Sequence, residues 1–593
     1  MKRYTREAKD VMLKDSTSIN SAQNQTSKIA PLSPMAVKLE SASYPSLDSV
    51  LRRFYWVVLG LCFLAIVLKV ISRFGVNSIW DDSFMFVRYS SNFLNSGTLS
   101  WNPGGEPTYG LTSLFYLVII LPVRLVVGYQ PGLIPVISSI TCGFVFLTLV
   151  GLLLQRYTVT GVVARRAFIL LTFFSFATSL GALGEHLTNG MDTAFTMSFV
   201  TIFLIFGKRY EQNCSLTNIF LLGLWGGLAF ATRPDLVLYG FGLPMGLVIF
   251  GPHRLKSLAV LAITANITGG VLLLNSLYFK TPLPLPFYAK GLKLYGDHIF
   301  KVYNGIAWQE LISYFNSYWF FFALIGLNIM LNFKGWWKRN STFDKSLLAI
   351  TLVFLVYYAF FVLQIMGFSQ RFYYPTLPIL LYLACQSTGQ LFELLINLLG
   401  HQLRFLPRTI WLSSAAVVWL LAMVVLSINL FPVVVNNSKE LVKANTDEFL
   451  GHFDVAENYR KTFYARNWFR LNDFSALPDD LVIATTEVGY PAALNPGKII
   501  VDMAGLNEKD FALNQFSAEG FFEKYRPDLI YLPHPDYKPM IEALTTYPYY
   551  LKQYQYFPRQ QLGTDLFGIA IRRDSKYYKE MLEIVVKPKE PDA

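Results

Sequence analysis

The chain has 593 residues, of which 53% are hydrophobic and only 15% charged, where soluble domains carry about 25% charged residues. Its formal net charge is +12, and its four cysteines (Cys62, Cys142, Cys214 and Cys385) make no close pair. These figures exclude an ordinary soluble protein and, because no cysteine follows Cys385, a disulfide framework or zinc site in the late polar region.

Residues 1–50 are polar and rich in Ser and Lys, without the apolar core of a signal peptide, and are predicted to form a disordered cytoplasmic tail. Arg52-Arg53 precede the first apolar run, 54–72, and place the N-terminus inside. Further spans are predicted over 132–154, 166–184, 191–207, 217–231, 236–250, 257–275, 314–333, 346–366, 374–397 and 409–431, about eleven in all by the rule of roughly 20 apolar residues per crossing. The stretch 112–128 contains Pro122 and Arg124 and is barely long enough to cross. Read as an interfacial helix at the outer face, it leaves Arg156, Arg165 and Arg166, Lys208 and Arg209, Arg254 and Lys256, Lys334, Lys338, Arg339 and Lys345, and Arg404 and Arg408 all in inside loops. If it crossed, all of them would face outside.

The predicted fold class is therefore a polytopic α-helical membrane protein. A transmembrane domain over 51–431 has a first external loop at 73–131, and an odd number of spans leaves 432–593 outside. That last segment mixes strand-like runs (481–485, 498–502 and 529–532) with helical stretches and is expected to be a soluble α/β domain of ordinary size. It carries a slight acid excess, so the basic excess belongs to the membrane part and reads as topology signal and anionic-lipid contact, not nucleic-acid binding. The membrane part's acids gather in external loops or at their edges: Asp81, Asp82, Glu106, Glu185, Asp192, Asp235, Asp297 and Glu310. Carboxylates are costly in hydrocarbon and mark functional cavities, so chemistry is expected at the outer face.

The first external loop reads Trp80-Asp81-Asp82-Ser83-Phe84, then Arg88-Tyr89, then Trp101-Asn102-Pro103-Gly104-Gly105-Glu106-Pro107, then Tyr109-Gly110-Leu111-Thr112-Ser113. Later come Asn189-Gly190-Met191-Asp192-Thr193-Ala194, Thr232-Arg233-Pro234-Asp235, Tyr278-Phe279-Lys280 with Pro284-Leu285-Pro286-Phe287-Tyr288-Ala289-Lys290, and Arg371-Phe372-Tyr373-Tyr374-Pro375. Glu487-Val488-Gly489 and Val501-Asp502-Met503-Ala504-Gly505-Leu506 follow in the late region. In this order the series resembles the bacterial GT-C glycosyltransferases, in their arabinofuranosyltransferase-like, polyprenyl-phosphate-sugar-dependent branch. Leu114 stands where that family often has Pro, and Pro286 where Asn is usual.

The resemblance implies an inverting transferase of the bacterial plasma membrane. It would move a monosaccharide from a polyprenyl-phosphate donor to an external glycan, glycolipid or protein. Asp82 or Asp81 would accept the proton of the acceptor hydroxyl and favour the cationic sugar. The other Asp would bond the sugar or hold a divalent cation (Mg²⁺, Mn²⁺ or Ca²⁺) with its partner. Adjacent carboxylates repel, so without a cation one should titrate high. Arg233, Lys290 and Arg371, then Lys280 and Arg88, are candidates to hold the donor phosphate. Trp80, Glu106, Tyr109, Glu185, His186, Asp192 and Tyr288 are candidates to line the substrate cavity. Local readings compete: Asp81-Asp82 as the cap of a helix near Ser83, Arg233 as the partner of Asp235, and Glu106 as part of its Gly-Pro turn. A transporter or flippase for a lipid-linked or polar solute is the alternative, and a non-catalytic lipid-sugar binder a third.

Overall fold

The structure is a computed structural model that describes residues 79–157, 180–291, 305–360, 362, 368–402, 474–532, 537–558 and 568–586. The tail 1–50, the spans expected at 54–72 and 409–431 and most of 166–184 lie outside the described residues.

Among the described residues the spanning segments of the membrane part are helical. The first loop folds into α1 (Ser83–Ser96), which ends where Gly97 turns left-handed (φ 71°) and its N–H closes on Phe93 O; Gly reaches that conformation at no steric cost. The stretch expected to be interfacial becomes a 3₁₀ turn, Leu114–Tyr116, and α2 (Leu117–Val127). With 11 residues α2 is about 16 Å long, well short of a hydrocarbon core of about 30 Å. It buries Leu117 and Ile120 and exposes Val118, Leu125 and Val126, as a helix resting one face on protein would.

There follow α3 (Leu133–Tyr157), α4 (Leu180–His186), α5 (Thr193–Gln212), α6 (Leu216–Thr232), α7 (Val237–Phe250), α8 (Arg254–Phe279), the short α9 (Leu285–Gly291), α10 (Gly305–Arg339), α11 (Thr342–Phe360) and α12 (Leu377–Gln402). Among the described residues four helices are long and apolar enough to cross a membrane: Leu133–Tyr157, Arg254–Phe279, Trp308–Lys338 within α10, and Thr342–Phe360. Their outward faces carry large exposed apolar side chains, among them Leu255, Leu274, Met330 and Val353, a surface that water does not tolerate over such an area. α6 and α7 are apolar but shorter. Small residues let helices approach closely, as membrane packing favours: a Cβ on Gly240 would fall 2.3 Å from Gly226 O.

The C-terminal region is a five-stranded sheet with short helices. β1 (Val482–Thr485), β2 (Ile499–Asp502) and β3 (Leu529–Tyr531) match the three strand-like runs to within a residue. β4 (Tyr554–Pro558) and β5 (Gly568–Arg572) complete the sheet in the order β2-β1-β3-β5-β4. β1 pairs parallel with both β2 and β3, whereas β5 runs antiparallel to β3 and β4. α13 (Gly489–Leu494) joins β1 to β2, and α14 (Lys509–Asn514) follows β2. The core gathers Val501, Phe511, Phe521, Phe522, Ile530 and Leu544.

Candidate functional site

Trp80-Asp81-Asp82 sits at the start of α1, where Ser83 N and Phe84 N donate to Trp80 O and Asp81 O. Neither Asp caps its own helix: Asp82 occupies the N-cap position without a side-chain bond to it. The two carboxylates instead point to different partners.

Asp81 reaches the C-terminal region. Its two oxygens accept the backbone N–H of Gly489 (2.9 Å) and of Tyr490 (2.6 Å), at the start of α13. The approach is so close that a Cβ on Gly489 would stand 1.9 Å from Asp81 O. Burial first, then the charge of Asp82, push the Asp81 carboxyl up to about 7 against the pull of the two amides. One member of the pair thus titrates high, and it is Asp81.

Asp82 turns to the membrane part. Its Oδ2 meets Arg371 Nη1 at 3.3 Å, joining side chains 289 positions apart. The Arg371 guanidinium also lies over the rings of Trp80 (5.6 Å) and Phe372 (5.0 Å), which hold a cation by their negative faces. Lys290, on α9, lies within the fields of both: burial first, then the charge of Arg371, lower its ammonium to about 8 against the pull of Asp82. Among the described residues no carboxylate makes an ion pair with Lys290. α9 is seated by Leu285 and Ala289 against Ala512 of α14 and by the bond from Leu285 N to Tyr109 O (2.7 Å).

Behind Trp80 lies a second layer. Trp80 Nε1 donates to Glu185 Oε1 (3.1 Å), Ser369 Oγ donates to Glu185 Oε2 (3.2 Å), and His186 Nε2 meets Ser369 O at 2.6 Å. Ser369 and Gln370 both have positive φ (53° and 64°), a strained turn that delivers Arg371 to the pair. Two fully buried polar atoms here, His186 Nδ1 and Asn189 Nδ2, have no hydrogen-bond partner, a costly state that a polar ligand would relieve.

Several expected site residues are taken up by partners within the protein. Arg88 spends all five N–H donors on the protein: Nε on Trp101 O (2.6 Å), Nη1 on Ala492 O and Asn495 O (3.3 Å each), and Nη2 on Asn102 Oδ1 (3.0 Å) and Lys498 O (2.7 Å). Nothing is left for a phosphate, so Arg88 is a clasp between first loop and C-terminal region. Arg233 grips Asp235 through two 3.0 Å bonds and donates to Tyr358 (3.1 Å), so the local pairing holds. Lys280, itself left-handed (φ 62°), donates to Leu277 O (3.0 Å) at the end of α8. Glu106 is exposed in its turn, and its carbonyl accepts from Thr108. Asp192 accepts from Ser113 Oγ, Tyr109 stacks on Phe279 (4.8 Å), and Tyr288 packs against Leu285 and Ala289.

The donor set of the acidic pair does not suit a shared divalent cation. Asp81 faces two N–H groups, Asp82 faces a guanidinium, and Lys290 stands beside them. Among the described residues no three His, Cys, Asp or Glu side chains gather as metal ligands.

One carboxylate was not singled out from the sequence as a site residue. Glu487, between β1 and α13, feels the charges of Asp81, Asp82 and Asp502, and with burial, the largest cause, they raise it to about 8. Its only sequence signal is the Glu487-Val488-Gly489 element. Set against protein-family models and against the curated proteins, the chain matches none.

Proposed function

We propose that the chain is a membrane glycosyltransferase of GT-C type, moving a monosaccharide from a polyprenyl-phosphate donor to an acceptor at the outer face of a bacterial plasma membrane. In this reading some eleven spans carry the site, and the C-terminal region is extracytoplasmic. The observation that carries the proposal is the meeting of Asp82 with Arg371, with Lys290 beside them. One carboxylate and two cations, drawn from three distant loops, form a site matched to a sugar phosphate.

The chemistry follows from those charges. The acceptor oxygen attacks the anomeric carbon from the face opposite the phosphate, so the configuration inverts. The bond from that carbon to the phosphate oxygen breaks, and its electron pair stays on the phosphate. Arg371 and Lys290 stabilise that growing negative charge, Arg371 as a planar fork and Lys290 as a point charge. Asp82 lies where positive charge grows on the sugar. A carboxylate of the same cluster removes the acceptor's proton. Trp80 offers a ring face to the sugar, and His186 Nδ1 and Asn189 Nδ2 offer an acceptor and a donor to its hydroxyls. No step is routed through a metal ion.

The test is lipid-phosphate release by the purified full chain from a panel of polyprenyl-phosphate monosaccharides, beside Asp82→Asn. Release by the parent and its loss in the variant are expected. Equal release by both would remove Asp82 from the chemistry. Movement of the lipid across a bilayer without bond cleavage would mark a transporter instead.

A further inference from the structure

The C-terminal sheet has a feature that neither the acidic pair nor the phosphate-binding cations use. After β1 the chain passes through α13 to β2 on one side, and from β2 it returns to β3 on the other side of β1. The carboxyl end of β1 is therefore a topological switch point, the place where open parallel sheets leave a crevice for ligands. Glu487 lies two residues beyond that end, and its backbone is held by Thr485, whose Oγ1 donates to Glu487 O and accepts from Glu487 N, both at 3.1 Å. The same end of the sheet is the one docked on the first loop, through Gly489 and Tyr490 to Asp81.

Glu487 stands two residues before Gly489, whose amide binds Asp81, so it lies within the fields of Asp81 and Asp82, and the three carboxylates differ in their partners. Both Asp81 oxygens are taken by backbone amides, and Asp82 is taken by Arg371 on the donor side. Among the described residues Glu487 makes no ion pair. It belongs to the C-terminal region, whereas Arg371 and Lys290 are carried by the membrane part.

We infer that Glu487 is the general base that takes the proton of the acceptor hydroxyl, so that the C-terminal region completes the active centre. The inference rests on the transferase reading above. In the step, the acceptor O–H proton passes to a Glu487 oxygen as the acceptor oxygen bonds to the anomeric carbon. The carbon–phosphate-oxygen bond breaks in concert, and its electron pair leaves on the phosphate held by Arg371 and Lys290. Burial first, and then the negative charges of Asp81, Asp82 and Asp502, raise the affinity of Glu487 for protons and bring it close to the operating pH. Asp81 is then a positioning residue that fixes α13, and with it Glu487, against the loop.

The test uses the full chain in detergent, with a polyprenyl-phosphate monosaccharide that the parent cleaves and octyl glycosides as acceptors. Glu487→Ala should lower acceptor-dependent release of lipid phosphate about 100-fold, while binding of polyprenyl phosphate alone, read by tryptophan fluorescence, stays unchanged. Added formate should restore at least part of the Glu487→Ala rate by supplying a small carboxylate in the vacated space, and should not restore Glu487→Gln, whose space is filled. An undiminished rate in Glu487→Ala overturns the inference and leaves the transferase reading standing. So does a loss that formate does not relieve, whether or not lipid binding falls with it. If the parent cleaves none of the donors, the transferase reading fails and the inference with it.

Discussion

Asp81 and Asp82 are neighbours in the chain with opposite assignments, and the difference is one of partners. Asp81 is spent on two amide hydrogens of another region, and Asp82 on a guanidinium that also rests on two aromatic rings. Asp82→Asn keeps the volume and removes the charge that favours the cationic sugar, so lipid-phosphate release should fall by about 10²- to 10³-fold with melting little changed. Lys290 gives a pH signature. Its folded-state pKa is lowered to about 8, so its charge is present below that and lost as pH rises through it. Affinity for polyprenyl phosphate should therefore decline from pH 7 to pH 9. Lys290→Arg, which stays charged throughout, should flatten that decline; a parent affinity constant across the range would remove Lys290 from the phosphate site.

At the scale of elements, the telling piece is α13, a six-residue helix gripped at both ends by the first loop. Asp81 meets its first amides, and Arg88 meets Ala492 O and Asn495 O at its last turn. A negative charge at the N-terminus and a positive one at the C-terminus both complement the helix dipole. Asp81 and Arg88 are seven residues apart, about 10 Å along a helix, which matches the length of α13. Gly489→Ala forces a Cβ into Asp81 O and cannot be absorbed by a side-chain shift, because the obstacle is backbone. It should loosen the C-terminal region, seen as faster amide hydrogen exchange over α13 and a loss of transfer. Arg88→Met leaves carbonyls buried without donors at a cost of roughly 1–3 kcal/mol each, and should lower the melting temperature by many degrees while the surviving folded protein binds polyprenyl phosphate normally. β2 is guarded by the same loop: Asn102 Nδ2 and Oδ1 bond Ile500 O (3.2 Å) and N (2.9 Å), and Trp101 Nε1 donates to Ile500 O (2.8 Å). Two side chains occupy an edge that would otherwise invite another strand.

For the whole molecule, the arrangement makes sense only if the first loop and the C-terminal region share one side of the membrane, since Asp81, Arg88, Trp101 and Asn102 of the loop all bond to that region. In the proposed topology the basic loops would face the other side. A membrane-impermeant maleimide should label Asp574→Cys in intact cells, and should reach Cys214 only after the membrane is permeabilised. Labelling of Cys214 in intact cells with Asp574→Cys protected would invert the topology.

Much of this was legible from local pattern. Runs of apolar residues set the helices, because length and hydropathy alone decide what a bilayer accepts, and the ends of α3, α6, α7 and α8 fall within a few residues of the expected spans. The strand-like runs near 482, 499 and 529 were visible for the same local reason, whereas β4 was not, since Tyr554–Pro558 ends in Pro and holds polar Gln555, nor was β5, whose apolar run Ile569–Ile571 is only three residues long. The motif order also singled out Asp82, Lys290 and Arg371. What each charged side chain does was not legible. Arg88, Arg233, Lys290 and Arg371 are all cations in segments expected to be external, yet two are spent on internal partners and two converge on one carboxylate. Sequence determined which residue types each loop offers and which segments meet hydrocarbon. Only tertiary structure decided which donors remain free, because hydrogen bonds and ion pairs are satisfied by whichever groups packing brings within about 3 Å, and those groups lie hundreds of residues away.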